Sequence, residues 1–316
     1  MKKYNWGIIG LGDIAHQFAT VFLQEQSVLY GAASRTLAKA QAFAEKYQIQ
    51  HTYGSYEEML ADPAIDVVYV AVPNQFHKAH ILQALQAGKH VLCEKAITLD
   101  LAELEEVAAV AQEKGLILQE AMTIFNMPLF KELRGIADSG KLGKLKMIQA
   151  PFGSYKEPDP NNRFFNPELA GGALLDIGTY AVSFARSFMT TAPKVIASDV
   201  LPFETGVDEQ SVTILRNEQN EMAAVTLTFQ AKMPKVGIAA FENAYITVAD
   251  YPRADKAEII YNDGTKEFIE VGNTQEALNY ELAAMIASIE GAPNHSLQLT
   301  KDVITVLDQM QKTWNE

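Results

Sequence analysis

The sequence predicts an α/β protein: a doubly wound parallel sheet at the N-terminus, followed by a C-terminal α+β domain with a large, open, mostly antiparallel sheet. Three observations lead to this fold class. Up to about residue 120, short β-rich segments alternate with amphipathic helical segments, the pattern of a parallel sheet with crossover helices. After that point, segments that alternate apolar and polar residues dominate. A chain of 316 residues also exceeds the size that one core usually organises, so we expect two domains, 1–120 and 121–316.

The first domain alternates strand patterns with helical patterns, the first of which starts near Ile14. The strands are expected at 6–10, 28–33, 67–72, 90–93 and 116–119, and the helices at 37–47, 77–87 and 101–114. The segment 67–72 is apolar throughout, as expected where helices cover both faces of a parallel sheet. This order predicts successive βαβ units.

The second domain begins with helices and continues with strands. Helices are expected at 128–139 and 178–189, on either side of a loop, 155–167, that is rich in proline, asparagine and charge. Strands are expected at 194–201, 209–216, 222–229, 245–249, 258–261 and 265–271, and closing helices at 275–289 and 301–312. The segment 262–264, Asn-Asp-Gly, is typical of a hairpin turn. Together these segments predict an antiparallel sheet with one open face.

Composition excludes several classes of partner. A net charge of −13 would repel a phosphate backbone, so we expect no nucleic acid partner. The single cysteine, Cys93, excludes an intrachain disulfide and a zinc site built on thiolates. The apolar run near the N-terminus is too short for a signal peptide, and no long apolar segment follows, so we expect a cytoplasmic protein without a membrane partner. No histidine has metal-ligand spacing with carboxylates, and no metal is predicted.

A glycine-rich turn follows the first predicted strand. It has the form G-x-G-x-x-A, and we expect cofactor contacts from Gly10, Gly12, Asp13, Ile14 and Ala15. The first glycine permits the tight turn, the second lets the backbone approach a pyrophosphate, and the small alanine allows close helix–strand packing. An empty tight turn is the alternative. The position between the first strand and the first helix of a βαβ unit favours a Rossmann dinucleotide site.

The end of the second strand bears on which dinucleotide binds. An acidic residue there would accept hydrogen bonds from the ribose of NAD, but this sequence has Ser34 and Arg35 instead. A hydroxyl and a guanidinium suit the 2′-phosphate of NADP(H), which we therefore favour over NAD(H). In the alternative interpretation, Ser34 caps the next helix and Arg35 is only solvated.

Two further segments follow the carboxyl ends of predicted strands, the edge at which open parallel sheets bind ligands. They place Pro73, Asn74, His77, Glu94 and Lys95 as candidates for the nicotinamide end of the cofactor site. A lysine in this position can polarise a substrate hydroxyl or carbonyl. A surface ion pair is the alternative role for Lys95.

Asp176 and Tyr180 form a third candidate group. If they open a helix, their i,i+4 spacing places carboxylate and phenol one turn apart on the same face. An adjacent ammonium would lower the pKa of the phenol, so Lys95 beside Tyr180 would give a usable proton donor and acceptor. The alternative is a half-buried interface tyrosine and an aspartate that caps a helix.

These segments occur in the order and roughly the spacing of a known family. They are the G-x-G-x-x-A turn at 10–15, Pro-Asn-x-x-His at 73–77, Ala-Gly-Lys-His-Val-x-x-Glu-Lys at 87–95 and the glycine-rich Asp-x-Gly-x-Tyr segment at 171–180. The chain resembles the Gfo/Idh/MocA family (glucose-fructose oxidoreductase, inositol dehydrogenase, rhizopine catabolism) over nearly its whole length. The tyrosine at 180 and the run 164–169 are most similar to its trans-dihydrodiol dehydrogenase-like group, a likeness that implies NADP(H).

The resemblance implies more than a fold. It implies that Lys95, Asp176 and Tyr180 face the substrate, that nicotinamide lies between the domains, and that the open sheet forms a homodimer or a dimer of dimers. Three positions depart from the family pattern. Ala96 replaces a proline, Ala170 replaces the first of three glycines, and Phe125 stands where many relatives carry an arginine that contacts substrate.

From these residues we expect hydride transfer between NADP(H) and a secondary alcohol or carbonyl of a sugar, polyol or cyclic diol. Tyr180 would act as general acid and base, Lys95 would lower its pKa and orient the reacting oxygen, and Asp176 would hold a neighbouring hydroxyl. The three departures motivate an alternative, a non-catalytic NADP-binding sensor, which the presence of all three catalytic candidates disfavours. A structural assembly protein is a third possibility, and the glycine turn disfavours it.

Overall fold

The computed structural model describes residues 3–22, 25 and 27–315. The chain forms two compact units. The first comprises Met1–Thr98, Ala102–Ala121 and Leu278–Leu297, and the second comprises Leu99–Leu101, Met122–Ala277 and Gln298–Glu316.

The helices and strands follow one another in two blocks, as the sequence predicts. The strands are β1 (Tyr4–Ile9), β2 (Ser27–Ala33), β3 (His51–Tyr53), β4 (Val67–Val70), β5 (His90–Glu94), β6 (Leu118–Ala121), β7 (Leu145–Gly153), β8 (Lys194–Pro202), β9 (Asp208–Arg216), β10 (Met222–Thr228), β11 (Val236–Phe241), β12 (Ala244–Ala249), β13 (Lys256–Tyr261) and β14 (Lys266–Glu270). The helices are α1 (Asp13–Val21), α2 (Leu37–Tyr47), α3 (Tyr56–Ala61), α4 (His77–Gln86), α5 (Leu101–Glu113), α6 (Thr123–Asn126), α7 (Pro128–Asp138), α8 (Thr179–Phe188), α9 (Ala277–Ile289) and α10 (His295–Trp314).

The first unit contains a parallel six-stranded sheet in the order β3-β2-β1-β4-β5-β6. This is the strand order of dinucleotide-binding Rossmann domains, and it confirms the predicted fold class. The short strand β3 was not predicted, because three residues are too few to show a period. The core beside the central strands contains Trp6, Phe18 and Tyr69, and the rings of Phe18 and Tyr69 stack with centroids 4.0 Å apart.

Helix α9 belongs to the first unit although it lies far along the chain. Its residues Leu278, Leu282, Met285 and Ile286 are buried in the same core as Trp6. We predicted one domain for 121–316, and the segment 278–297 differs from that division. The sequence of α9 is largely apolar, which predicts a buried helix but does not indicate which core the helix joins.

The second unit contains an eight-stranded sheet in the order β14-β13-β12-β11-β7-β10-β9-β8. Strands β7 and β10 pair in parallel, and the other neighbours are antiparallel. The predicted hairpin turn joins β13 to β14, closed by the Tyr261 N–H on the Thr265 carbonyl at 2.9 Å.

Two strands of this sheet, β7 and β11, were not predicted. Strand β7 includes Lys146, Pro151 and Gly153, which interrupt the alternating pattern. Strand β11 has Gly237 in its interior, where a Cβ would lie 2.3 Å from the ring of Phe184 on α8. The glycine is therefore required for helix packing, a reason that the local sequence does not show. No helix in the described ranges has the length and hydropathy to cross a bilayer.

Candidate active site

The glycine turn after β1 has the geometry of a phosphate-binding turn. Gly10 has a φ of +88°, and a Cβ there would lie 2.5 Å from the carbonyl oxygen of Ala71, so only glycine fits. Gly12 precedes the first residue of α1, a Cβ there would meet nothing within 4 Å, and no side chain caps the helix. Ala15 is fully buried. The open space at an uncapped helix N-terminus fits a pyrophosphate group.

The next two residues of the turn differ in their surroundings. Asp13 is exposed in the first turn of α1, whereas Ile14 is partly buried against the core of the first unit. Asp13 is therefore the one of the two whose side chain is open to a ligand.

Ser34 and Arg35 follow the end of β2. The Ser34 N–H donates to the carbonyl of Tyr53 at 3.3 Å, and its hydroxyl accepts from the Thr36 N–H at 3.4 Å. Thr36, not Ser34, is the residue that precedes α2, so Ser34 does not cap that helix. The Arg35 side chain is exposed, and its positive charge opposes the rise that burial causes in the pKa of Tyr56. A guanidinium at this edge remains open to an anionic group.

The backbone at Lys95 is fixed by Glu94. The buried Tyr69 phenol donates to Glu94 Oε1, and the Lys95 N–H donates to Glu94 Oε2 at 3.3 Å. Burial, and then the nearby negative charge of Glu94, raise the pKa of Tyr69, which keeps the phenol protonated as a donor. Glu94 is itself buried, so its first role in this structure is to position Lys95, which is partly exposed.

His77 and Glu120 hold the residues that follow Lys95. His77 Nδ1 lies 2.8 Å from the carbonyl oxygen of Ala96, and His77 Nε2 lies 2.8 Å from that of Val72. The Ile97 N–H donates to the buried Glu120 carboxylate at 3.1 Å. The Lys95–Ala96 peptide bond is cis.

The surroundings of His77 define its place in the site. The side chain is fully buried, and burial lowers its pKa despite the carbonyls beside it. We expected His77 to line the cofactor site. In the structure its ring contacts backbone, so it positions the end of β4 and the Lys95 segment.

Pro73 and Asn74 lie at the same sheet edge. Asn74 begins a short 3₁₀ turn, Asn74–Phe76, and is partly buried, while Pro73 is exposed. The candidate residues of the first unit thus follow the carboxyl ends of β1, β2, β4 and β5, where doubly wound sheets bind ligands. Lys89, in the same sequence block as Lys95, is structural, because its ammonium donates to the carbonyls of Asp62 and Ile65.

Asp176 and Tyr180 lie on one continuous helical segment. A π-helical turn, Leu174–Gly178, carries Asp176 and leads into α8, whose first turn carries Tyr180. Both side chains are partly exposed. The carboxylate and the phenol are therefore about one turn apart, as the spacing predicts, although the turn is wider than in an α-helix.

Asp208, which the sequence did not single out, holds the start of this segment. Its Oδ2 accepts the Leu174 N–H at 2.6 Å. Gly172, with a φ of +122°, leaves room for the carboxylate, because a Cβ there would lie 2.1 Å from Asp208 Oδ1. Burial raises the pKa of Asp208 to about 7. Asp208 therefore accepts the first N–H group of this segment, the place of a helix cap. The sequence does contain one signal for such a residue. Gly171 and Gly172 precede a helix that has no capping residue of its own, so its first N–H groups need an acceptor from elsewhere in the chain.

The residues before this helix are closely packed against the preceding loop. A Cβ on Gly171 would lie 2.8–2.9 Å from the carbonyl oxygens of Phe164, Arg163 and Asn166. Ala170, which replaces the usual first glycine, has a φ of +52°. It therefore adopts the left-handed conformation that glycine adopts without strain.

The structure divides the catalytic candidates between the two units. Lys95 belongs to the first unit, and Asp176 and Tyr180 belong to the second. The predicted approach of Lys95 to Tyr180 stays a prediction. Among the residues that the structure describes, no group of three or more His, Cys, Asp or Glu side chains could hold a metal ion.

Comparison with known proteins identifies both units. Residues 4–122 match the family model described as "Oxidoreductase family, NAD-binding Rossmann fold", and residues 130–264 match the GFO/IDH/MocA C-terminal domain. The trans-1,2-dihydrobenzene-1,2-diol dehydrogenase of Xenopus laevis is 30% identical over 96% of each chain. The enzyme of the same name from Danio rerio is 37% identical over 72% of this chain and 69% of its own.

Solved structures share the fold over almost the whole length. A 3-ketoreductase from Actinomadura kijaniata, in complex with NADP and TDP-benzene, has a TM-score of 0.88 at 23% identity and covers 99% of this chain and 98% of its own. Levoglucosan dehydrogenase, in complex with NADH and levoglucosan, has a TM-score of 0.88 at 19% identity and covers 99% of this chain and 97% of its own. The expected family is confirmed: the chain is an enzyme of the Gfo/Idh/MocA family of oxidoreductases.

Proposed function

We propose that this enzyme transfers a hydride between NADP(H) and a secondary alcohol or carbonyl of a sugar, polyol or cyclic diol. The observation that carries the proposal is the pairing of Asp176 and Tyr180 about one turn apart on one partly exposed helical segment. Relatives named for a dihydrodiol and a neighbour named for levoglucosan support the substrate class.

Each residue has one task in this proposal. Tyr180 donates a proton to the reacting oxygen during reduction and accepts it during oxidation. Asp176 accepts a hydrogen bond from a neighbouring substrate hydroxyl, and the ammonium of Lys95 stabilises the phenolate form of Tyr180. When bound, the nicotinamide supplies or accepts the hydride.

Replacement of Tyr180 tests the proposed reaction. Tyr180→Phe removes the proton donor and keeps the ring, so we expect kcat to fall by about 10²–10⁴-fold while the Kd for NADPH is unchanged. Tyr155→Phe, which removes an exposed phenol, is the matched control. Turnover of Tyr180→Phe near the wild-type rate would contradict the assignment.

A screen of sugars, polyols and cyclic diols with NADP⁺ identifies the substrate for these assays. Binding of NADP⁺ without turnover of any of these compounds would favour a non-catalytic sensor.

The preference for NADP(H) is part of the proposal. It rests on Ser34 and the exposed Arg35 after β2, where an NAD enzyme would have a carboxylate. Structural neighbours are described with NADP and with NADH, so the fold alone leaves the choice open. We expect Arg35→Ala to raise the Kd for NADP⁺ by about 10–100-fold and to leave the Kd for NAD⁺ unchanged. Lys46→Ala, in the last turn of α2, is the control. An unchanged ratio of the two dissociation constants would contradict the preference.

We also propose that the open face of the second sheet pairs with a second copy of the chain. Apolar side chains are exposed on four strands of this sheet, at Met147, Val212, Ile214, Tyr245 and Phe268. An apolar surface of this extent is typical of an interface. Sedimentation equilibrium should give a multiple of 34.8 kDa, and Val212→Asp should shift the mass toward that of a monomer. A wild-type monomer at micromolar concentration would contradict the proposal.

A further inference from the structure

The second unit contains a cavity of about 550 Å³ that includes Tyr180. Phe152 of β7 forms part of its wall, and its ring centroid lies 6.2 Å from that of Tyr180. Other walls come from Lys235, just before β11, and from the segment 249–256, which connects β12 to β13. All of these residues belong to the second unit. A group bound in this cavity would therefore lie near the proposed proton donor.

The charged residues of the cavity include three cations and two carboxylates. The cations are Lys235, Arg253 and Lys256, and the carboxylates are Asp250 and Asp255. Lys256 forms an ion pair with Glu270 at 3.0 Å, and Asp255 accepts the Thr274 N–H at 3.2 Å. Because Lys256 is paired with Glu270, the two remaining cations equal the two carboxylates in number, in a protein whose net charge is −13. The cavity lacks the excess of negative charge that the whole chain carries, so an ammonium in it can bind an anionic group.

Lys235 is the cation whose position is best suited to a ligand. Its Nζ lies 4.9 Å from the centroid of the Phe152 ring. In the part of the chain that the structure describes, no carboxylate forms an ion pair with this ammonium. An ammonium over an aromatic face keeps its N–H donors available, because the ring attracts the positive charge but is a weak acceptor of hydrogen bonds.

We propose, on the basis of the proposed function, that this cavity is a subsite for an anionic oxygen group, a carboxylate or a phosphate, on the substrate. The Lys235 ammonium binds this group by charge-assisted hydrogen bonds, and Phe152 packs against the apolar face of the sugar or polyol ring. The reacting hydroxyl then lies toward Tyr180. The substrate class becomes acidic sugars or sugar phosphates rather than neutral polyols.

The test compares sugars that differ only in charge. Glucose, glucuronate and glucose 6-phosphate are titrated by calorimetry into the NADPH-loaded protein, in which the alcohol cannot react, and the galactose series is titrated in the same way. We expect at least one of the acidic sugars to bind about 10–100-fold more tightly than its neutral parent, and added salt to reduce the difference. The anionic group is identified by which acidic sugar, the carboxylate or the phosphate, shows the larger increase in affinity over its neutral parent.

Substitution of Lys235 isolates its contribution. Lys235→Met keeps most of the aliphatic stem and removes the charge, and it should abolish most of the difference between acidic and neutral sugars. Lys232→Met, at an exposed lysine that does not line the cavity, is the matched control. In turnover assays, Lys235→Met should raise KM for the acidic sugar far more than it lowers kcat.

Two outcomes would overturn the subsite. One is that acidic sugars bind no more tightly than neutral ones, and the other is that Lys235→Met weakens both to the same extent. Failure of the proposed function has a different signature. In that case the difference in binding and its dependence on Lys235 persist, but no sugar is oxidised with NADP⁺ and no corresponding ketone is reduced with NADPH.

Discussion

Lys95 and Tyr180, the two residues of the proposed proton transfer, lie on segments that are supported in different ways. The Lys95 segment, residues 95–97, follows a parallel strand. Its backbone forms hydrogen bonds with the side chains of Glu94, His77 and Glu120. The Tyr180 segment begins at a turn whose first N–H groups rely on Asp208, 34 residues beyond Leu174. The first segment is thus positioned by several side chains at the edge of one sheet, whereas the first N–H group of the second is held by a buried, titratable carboxyl group.

The largest effect should come from the titration of Asp208. Burial raises its pKa to about 7 from an ordinary value of 3.8, so the folded protein keeps a proton that the unfolded chain has released. The stabilisation is complete below about pH 4 and is lost as pH rises through about 7. We expect the unfolding free energy of the wild type to fall, relative to that of Asp208→Asn, by on the order of 4 kcal/mol between these limits.

Urea titrations at a series of pH values measure this difference. The amide of Asp208→Asn resembles the protonated acid and does not titrate, so the variant isolates the carboxyl group. Asp159→Asn is the matched control, because Asp159 also accepts a backbone N–H, from Asn161 at 2.9 Å, but is exposed. Parallel pH profiles for the wild type and Asp208→Asn would show that Asp208 does not titrate in this range.

The Lys95 segment should respond to His77. His77→Ala leaves the carbonyls of Val72 and Ala96 without their imidazole partner and opens a cavity in a fully buried place. We expect a loss of roughly 2–4 kcal/mol in unfolding free energy by urea denaturation at neutral pH. His80→Ala, three residues along the same helix and partly exposed, should cost less than about 1 kcal/mol. Equal losses of unfolding free energy in the two variants would contradict the positioning role of His77.

The smallest effect should come from Ala170, in the loop before the Tyr180 segment. Its φ of +52° strains an alanine, so Ala170→Gly should raise the unfolding free energy by about 0.5–1 kcal/mol, after allowance for the greater freedom of glycine in the unfolded chain. Asn220 has a φ of +61°, but asparagine tolerates this conformation, so Asn220→Gly should give no gain. A loss of stability in Ala170→Gly would show that the alanine methyl group makes a compensating contact.

The sequence predicted the features that depend on local spacing. The Gly10 and Gly12 turn and five of the six strands of the first sheet follow from short-range patterns, and the structure has them. It did not predict β7 or β11, whose proline and glycine residues obscure the period. The sequence did not predict the role of Asp208 either, because only the fold brings its carboxylate near the Leu174 N–H. The sequence placed His77 at the correct sheet edge, but its burial depends on carbonyl groups of two separate loops.

Helix α9 has a consequence for how the chain reaches its native state. The core around Trp6 includes Leu278, Leu282, Met285 and Ile286, so the nucleotide-binding unit is discontinuous in sequence. During synthesis this core cannot close until the ribosome has released the chain to beyond residue 289, by which time nearly all of the second unit has been made. A fragment cut after residue 121 would expose the apolar surface that α9 covers, and such surfaces promote aggregation. The two units therefore mature together, and the first cannot be treated as a module that can be excised.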